Sequence, residues 1–255
     1  MAKTKTKFKI DIKIIIAAVV AVALIASIIA IASTKSKSRH NENLYSFNKS
    51  VADGIDVSEH NGEIDWDKVK EEKDFAFIRV GYRGYGSGDI IEDKYARDNL
   101  EGANKAGIPV GVYFYTQAVS EKEAEKEADF VHSIIKKYDI DLPVIIDFEY
   151  PIDSDGNATG RLTDAQLDAD ESTDIINAFL TKIEKKGYCS GVYASSSVLA
   201  NRINMDELNK SSIIWVADYN SRVTYDVDYT VWQYSETGSC DGIGSKYVDL
   251  NYWYE

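Results

Sequence analysis

The chain of 255 residues is 44% hydrophobic and 28% charged, with 16 Gly and 3 Pro, a composition that excludes collagen-like, disordered and disulfide-stapled classes. Its net charge of −13 is unevenly spread: residues 1–40 hold eight Lys/Arg against one acid, Asp11, and the remainder carries 21 against 41. So acidic a body repels phosphate backbones, which makes nucleic acid an unexpected partner, and two cysteines outside any C-x-x-C exclude a thiolate zinc site.

From Ile14 to Ala32 the only polar residue is Ser27. A helix over that run spans ~28 Å, close to the hydrocarbon thickness of a bilayer, so residues 14–32 read as a transmembrane anchor. Lys3, Lys5, Lys7, Lys9 and Lys13 precede it, which keeps a basic head, residues 1–13, in the cytoplasm and sends the body outside as a single-pass protein. Ala30-Ile31-Ala32 also has the small-x-small form of a signal-peptidase site; cleavage after Ala32 is the alternative, although the apolar run is longer than a usual signal core. Residues 33–52 read as a tether and residues 53–255 as the folded body.

In that body β-rich runs alternate with amphipathic stretches. The predicted strands, in chain order, are 54–58, 75–82, 109–117, 142–150, 189–195, 212–219, 229–235 and 246–252, and the predicted helices are 65–73, 93–106, 120–138, 164–186 and 197–209. Past residue 210 too little chain separates the strands for crossover helices. Eight strands with helices after the first five predict an α/β fold, one closed or nearly closed TIM-like barrel, with an open doubly wound sheet as the alternative. No G-x-G-x-x-G follows a strand and no Walker sequence occurs, so a nucleotide has no binding signature.

Alternation along LPVIIDFEY puts Ile145, Asp147 and Glu149 on one face and Val144, Ile146 and Phe148 on the other. Two acids thus point the same way at the C-terminal end of a strand, where barrel enzymes keep their chemistry. Asp56 in GIDVS, Asp218 in WVADY and Asp249 in YVDLN repeat the arrangement, and any one of them could instead cap a loop or pair with Arg79. Converging carboxylates fit either a divalent cation or acid-assisted glycoside cleavage. His40, His60 and His132 are scattered, with His60 a candidate for the mouth, and neither a G-x-S-x-G elbow nor a Cys–His pair is evident.

Seventeen Tyr and four Trp add sugar-stacking capacity, because such rings bury C–H faces while their polar edges reach hydroxyls. Tyr113 and Tyr115 alternate to the same side as Gln117 and are the leading groove candidates, with Tyr193, Asp218 and Gln233 completing the expected substrate-binding set. Cys189 and Cys240 form an even pair in an exported chain, which favours one disulfide over two buried thiols.

GIDVSEHNGEIDW (54–66), FIRVG (77–81), VIIDFE (144–149), WVADY (215–219), VWQYS (231–235) and VDLN (248–251) together resemble glycoside hydrolase family 25, the N-acetylmuramidases, over essentially residues 53–255. The resemblance implies a (β/α)5(β)3 barrel that cleaves the β-1,4 bond between N-acetylmuramic acid and N-acetylglucosamine of a peptidoglycan glycan strand, with no metal or organic cofactor. It implies Glu149 as general acid, Asp147 as its strand partner orienting the substrate acetamido group, and Asp56 and Asp249 as the remaining catalytic acids. Arg79-Val-Gly-Tyr-Arg83 departs from the Lys-x-Thr-Glu-Gly form of many relatives. A catalytically silent wall-binding module and a hydrolase of another 2-acetamido glycan are the competing expectations.

Overall fold

Residues 51–57, VADGIDV, offer small and β-branched side chains to both faces, and they form the first strand of a sheet that closes on itself. The structure is a computed structural model that describes residues 45–255. β1 (Val51–Val57) pairs in parallel with β2 (Phe75–Arg83) and antiparallel with β9 (Val248–Tyr254). The ring is completed by β8 (Val231–Gly238), β7 (Ile213–Ala217), β6 (Ser190–Ser195), β5 (Val144–Asp147) and β4 (Val110–Tyr115), which returns to β2. The two pairings of β1 rule out the open sheet. Within the closed ring β9 alone runs against its neighbours, so its first residues, rather than its last, lie at the mouth.

Helices cover the first five barrel strands: α1 (Trp66–Glu72), α2 (Ala96–Ala106), α3 (Glu121–Ile135), the pair α4 (Arg161–Ala165) and α5 (Ala169–Lys185), and α6 (Ser196–Arg202). Three boundaries differ from the sequence expectation. A short strand, β3 (Ile90–Glu92), hangs antiparallel on the end of β2. The helix expected over 164–186 is broken at Gln166, whose φ of 52° is left-handed, and restarts from Asp168, which exchanges capping hydrogen bonds with Glu171. The helix expected over 197–209 stops at Arg202.

Two apolar layers hold the ring. Val144, Ile146 and Phe148 face the layer between strands and helices, whereas Ile145 faces the barrel interior with Phe75, Phe77, Trp215 and Trp253, which is the alternation read from the sequence. Gly54 and Gly111 leave the space that the rings of Phe75 and Phe77 occupy; a Cβ at either would overlap them. The interior is sealed below by Phe47, whose ring lies 5.5 Å from Phe75 and 5.7 Å from Trp253. Ser46 Oγ and the Phe47 amide donate to the Glu255 carboxylate. Part of the stretch expected to be tether is therefore folded onto the base of the barrel.

One acid is buried under α3. Glu127 is fully buried, takes Arg83 Nε at 2.6 Å and Thr116 Oγ1 at 2.7 Å, and has its pKa pushed by burial up to about 7. The expected disulfide is absent: Cys189 and Cys240 are both free. Cys189 precedes the first residue of β6, whereas Cys240 lies in the loop between β8 and β9, against Glu72 at the end of α1.

The expected head, 1–13, the anchor, 14–32, and residues 33–44 of the tether lie outside the described residues. Among the described residues no helix is long and apolar enough to cross a membrane.

Candidate active site

Register aligns the groups at the mouth. Tyr115, Asp147, Tyr193 and Trp215 are successive partners across β4, β5, β6 and β7, and Asp56 is the direct cross-strand partner of Asp249. Past Asp147 the chain pairs for one further residue, Phe148 N donating to Tyr193 O at 2.9 Å, and Gln117 Nε2 then donates to the carbonyl of Glu149 at 3.0 Å. The second acid of the pair is thus anchored although strand pairing ends before it. Asp56, Asp147, Glu149 and Asp249 together line a pocket of about 280 Å³ at the C-terminal mouth, walled by Tyr113, Tyr115, Tyr193, Trp215 and Tyr219.

Asp56 is held rigidly. Its Oδ2 accepts from Gln233 Nε2 at 2.9 Å and Asn251 Nδ2 at 2.8 Å; Gln233 Oε1 accepts from Tyr193 and Tyr219 at 2.8 and 2.7 Å, and Asn251 Oδ1 accepts from Trp215 Nε1 at 2.9 Å. Gln233, expected to bind substrate, touches the pocket and also orients Asp56.

Burial raises all four acids of the pocket. Burial, offset partly by the two amides, pushes Asp56 up to about 6, and burial reinforced by the charges of Asp56 and Glu236 pushes Asp249 up to about 8. Asp147 is raised well above the usual carboxylate range, first by burial and then by Glu149, with which it is in side-chain hydrogen-bonding contact. Glu149 is raised as well, by burial foremost. Carboxyls this close exchange protons as pairs rather than singly. Asp147 lines the pocket, and its Oδ1 is buried with no hydrogen-bond partner among the described residues. Among the described residues no group of His, Cys, Asp and Glu is arranged to hold a metal ion.

Asp218 lies apart from this set. It borders the adjoining cleft, but its Oδ2 accepts from Ser196, Thr224 N and Thr224 Oγ1, and its Oδ1 accepts from the amide and side chain of Asn220. Those bonds hold its carboxyl far below the usual range, so Asp218 fastens the loop after β7, the loop-capping role left open by its sequence. Arg79, the other partner considered for these acids, pairs with Asp93 at 2.8 Å and Glu59 at 3.2 Å. His60 lines the mouth.

Glu236 was not foreseen. Period-two alternation from Gln233 sends it outward with Trp232 and Tyr234, yet β8 slips register against β9 between Gln233 and Ser235 and again before Gly238. The slips return Glu236 to the pocket beside Asp249. Asn251, quoted within VDLN without a role, follows Asp249 on the same face of β9 and could have been read from alternation.

An eight-stranded barrel with a carboxyl-crowded, aromatic-walled mouth belongs to the class of barrel proteins equipped for carboxylate chemistry on sugars. The family model for glycosyl hydrolases family 25 matches residues 55–243, and the chain belongs to that family. An autolytic lysozyme of Clostridium acetobutylicum is 26% identical over 199 residues, 78% of this chain and 54% of its own. Among solved structures, the modular autolysin LytC of Streptococcus pneumoniae, in complex with a synthetic peptidoglycan ligand, superposes with a TM-score of 0.68 at 32% identity, covering 80% of this chain and 47% of that one. The family 25 glycosyl hydrolase of Bacillus anthracis shares the fold, with a TM-score of 0.66 at 24% identity over 84% of this chain and 93% of its own. The chain spans about half the length of the clostridial lysozyme and of the pneumococcal autolysin.

Proposed function

We propose that this barrel is a muramidase that cleaves the β-1,4 bond between N-acetylmuramic acid and N-acetylglucosamine in peptidoglycan. The observation that carries the reading is the Asp147–Glu149 pair, two raised carboxyls in contact at the C-terminal mouth of a family 25 barrel. Glu149, the more accessible of the two, protonates the departing glycosidic oxygen. Asp147, which lines the pocket beside Glu149, takes the N–H of the 2-acetamido group and turns its carbonyl oxygen toward the anomeric carbon, so the substrate's own amide displaces the leaving sugar and water later releases it with retention. Asp56 and Asp249, one above the other on β1 and β9, stabilise charge on the reacting ring, and Tyr113, Tyr115 and Tyr193 supply its walls.

In this proposal residues 14–32 anchor the protein in the membrane, residues 1–13 remain cytoplasmic and the barrel faces the wall. The support is the apolar run and its basic flank. Cleavage after Ala32 would release the same barrel.

The test is Glu149→Gln, an amide of equal size that cannot donate the proton. Lysis of purified wall material is expected to fall about 10²–10⁴-fold with the circular dichroism spectrum unchanged. A variant that still degrades wall at the wild-type rate overturns the assignment.

A further inference from the structure

Outside the acid pocket lies a buried carboxylate that no step of the reaction touches. Glu127, on the inner face of α3, is fully buried and lines no part of the pocket. Its Oε1 accepts from Arg83 Nε at 2.6 Å and its Oε2 from Thr116 Oγ1 at 2.7 Å. Arg83 spends its two other nitrogens on the carbonyls of Gly88 and Glu123, at 2.6 and 3.1 Å, so the cluster is closed and satisfied. Stability alone does not call for charge here, because a buried ion pair is often matched or bettered by apolar side chains of similar volume. What such a pair supplies is a fixed orientation for the group it holds, and that group is Thr116.

β4 ends at Tyr115, whose partner Asp147 is the last register position shared by β4 and β5. Past that pair, two hydrogen bonds from the β4 side hold the segment that carries the acids: Thr116 N donates to the carbonyl of Asp147 at 3.0 Å, and Gln117 Nε2 donates to the carbonyl of Glu149 at 3.0 Å. Neither donor lies in regular strand, so the ladder does not fix their directions. Thr116 does: its Oγ1 accepts from Ala118 N at 3.0 Å and closes a turn around Gln117, whose Oε1 accepts in turn from Leu162 N at 3.3 Å. A hydroxyl has one proton to give. Glu127 takes it and leaves the lone pairs of Oγ1 to Ala118. A chain of contacts thus runs from Glu127 through Thr116 and Gln117 to the backbone of both acids, and its three side chains are fully buried.

We infer that Glu127 is a positioning residue of the reaction: through Thr116 it fixes the turn at residues 116–118, and through that turn the placement of Asp147 and Glu149 against the substrate. The inference rests on the hydrolase reading above and adds to it a residue that never meets the sugar. Errors of placement are costly in such a pair, since a shift of about 1 Å in a reacting group can lower a rate about 10²-fold. Neither Glu127 nor Thr116 lines the acid pocket, so loosening the turn leaves the sugar-binding walls in place. The loss falls on the chemical step rather than on binding.

The experiment measures kcat and KM of the full-length protein on soluble, uncross-linked glycan fragments of purified wall, with urea unfolding to establish that each variant is folded under the assay conditions. Thr116→Val removes the one hydroxyl and keeps the ion pair. Its kcat is expected to fall about 10- to 100-fold with KM within about twofold of wild type, and Thr116→Ser, which restores the hydroxyl, is expected to recover most of the loss. Joint replacement of Arg83 by Met and Glu127 by Leu, which repacks the cluster without charge, is expected to lower kcat to a similar extent in a folded protein. Wild-type kcat in folded Thr116→Val or in the folded double variant, a loss in Thr116→Val carried by KM instead of kcat, or a Ser variant no better than Val overturns the inference and leaves the hydrolase reading standing. Failure of the wild-type protein to cleave the fragments overturns both.

Discussion

Replacing Asp249 by Asn should stabilise the barrel and do so only above acidic pH. Asp249 faces Asp56 across the β1–β9 pair, and burial together with the charges of Asp56 and Glu236 raises its carboxyl from 3.8 to about 8. A raised carboxyl binds its proton more tightly in the folded than in the unfolded chain. The folded state therefore holds its full advantage below the unfolded value near 4 and loses it progressively as pH climbs through about 8. At about 1.4 kcal/mol for each unit, the rise corresponds to an upper bound of about 6 kcal/mol at alkaline pH. Asp56, itself raised to about 6, shares part of that repulsion, and partial access to water screens more, so about 2–4 kcal/mol is expected. An Asn side chain keeps a donor for Asp56, as protonated Asp249 does, and never acquires the charge. Urea unfolding of wild-type and Asp249→Asn proteins should give near-equal stabilities at pH 4 and a gain for the variant at pH 8.5, alongside reduced wall lysis. Equal stability differences at the two pH values would refute the claim that repulsion at the mouth weakens this fold.

Other outcomes follow from the same contacts. Asp218→Ala should cost about 2–3 kcal/mol in unfolding experiments by leaving Ser196, Thr224 and Asn220 without their acceptor, while kcat falls far less than in Glu149→Gln. Glu127→Ala should lower stability by about 3–5 kcal/mol because Arg83 is left buried and unpaired, and joint replacement of Arg83 by Met and Glu127 by Leu should recover much of it. Thiol labelling under denaturing, non-reducing conditions should find two reactive cysteines per chain.

The barrel was readable because its strands are buried on both faces and so stand out as apolar runs between charged helices. The acids were readable for a related reason. Asp56, Asp147 and Asp249 interrupt such runs near a strand end, where a charge has no structural excuse. Glu127 lacked that contrast, since it sits among seven charged residues in EKEAEKEAD; only its position between Ala124 and Val131 on the inner stripe marks it, and its partner Arg83 lies 44 residues away. Glu236 was hidden by a register slip that no alternation rule anticipates. The break between α4 and α5 did leave a trace, the Asp168-x-x-Glu171 capping box, which the charged run around it obscured.

The seam at the base of the barrel bears on how the protein can be handled mechanically. β1 begins and β9 ends at the pole opposite the mouth, and Ser46, Phe47 and Glu255 are hydrogen-bonded to one another there. Both ends of the folded chain therefore share one attachment point. A load applied at either terminus enters beside the plug formed by Phe47 and Trp253, where it must peel the ends of β1 and β9 before it reaches any acid. Cargo fused to the C-terminus, or a surface linked just ahead of residue 45, would attach at the closed pole and leave the mouth uncovered.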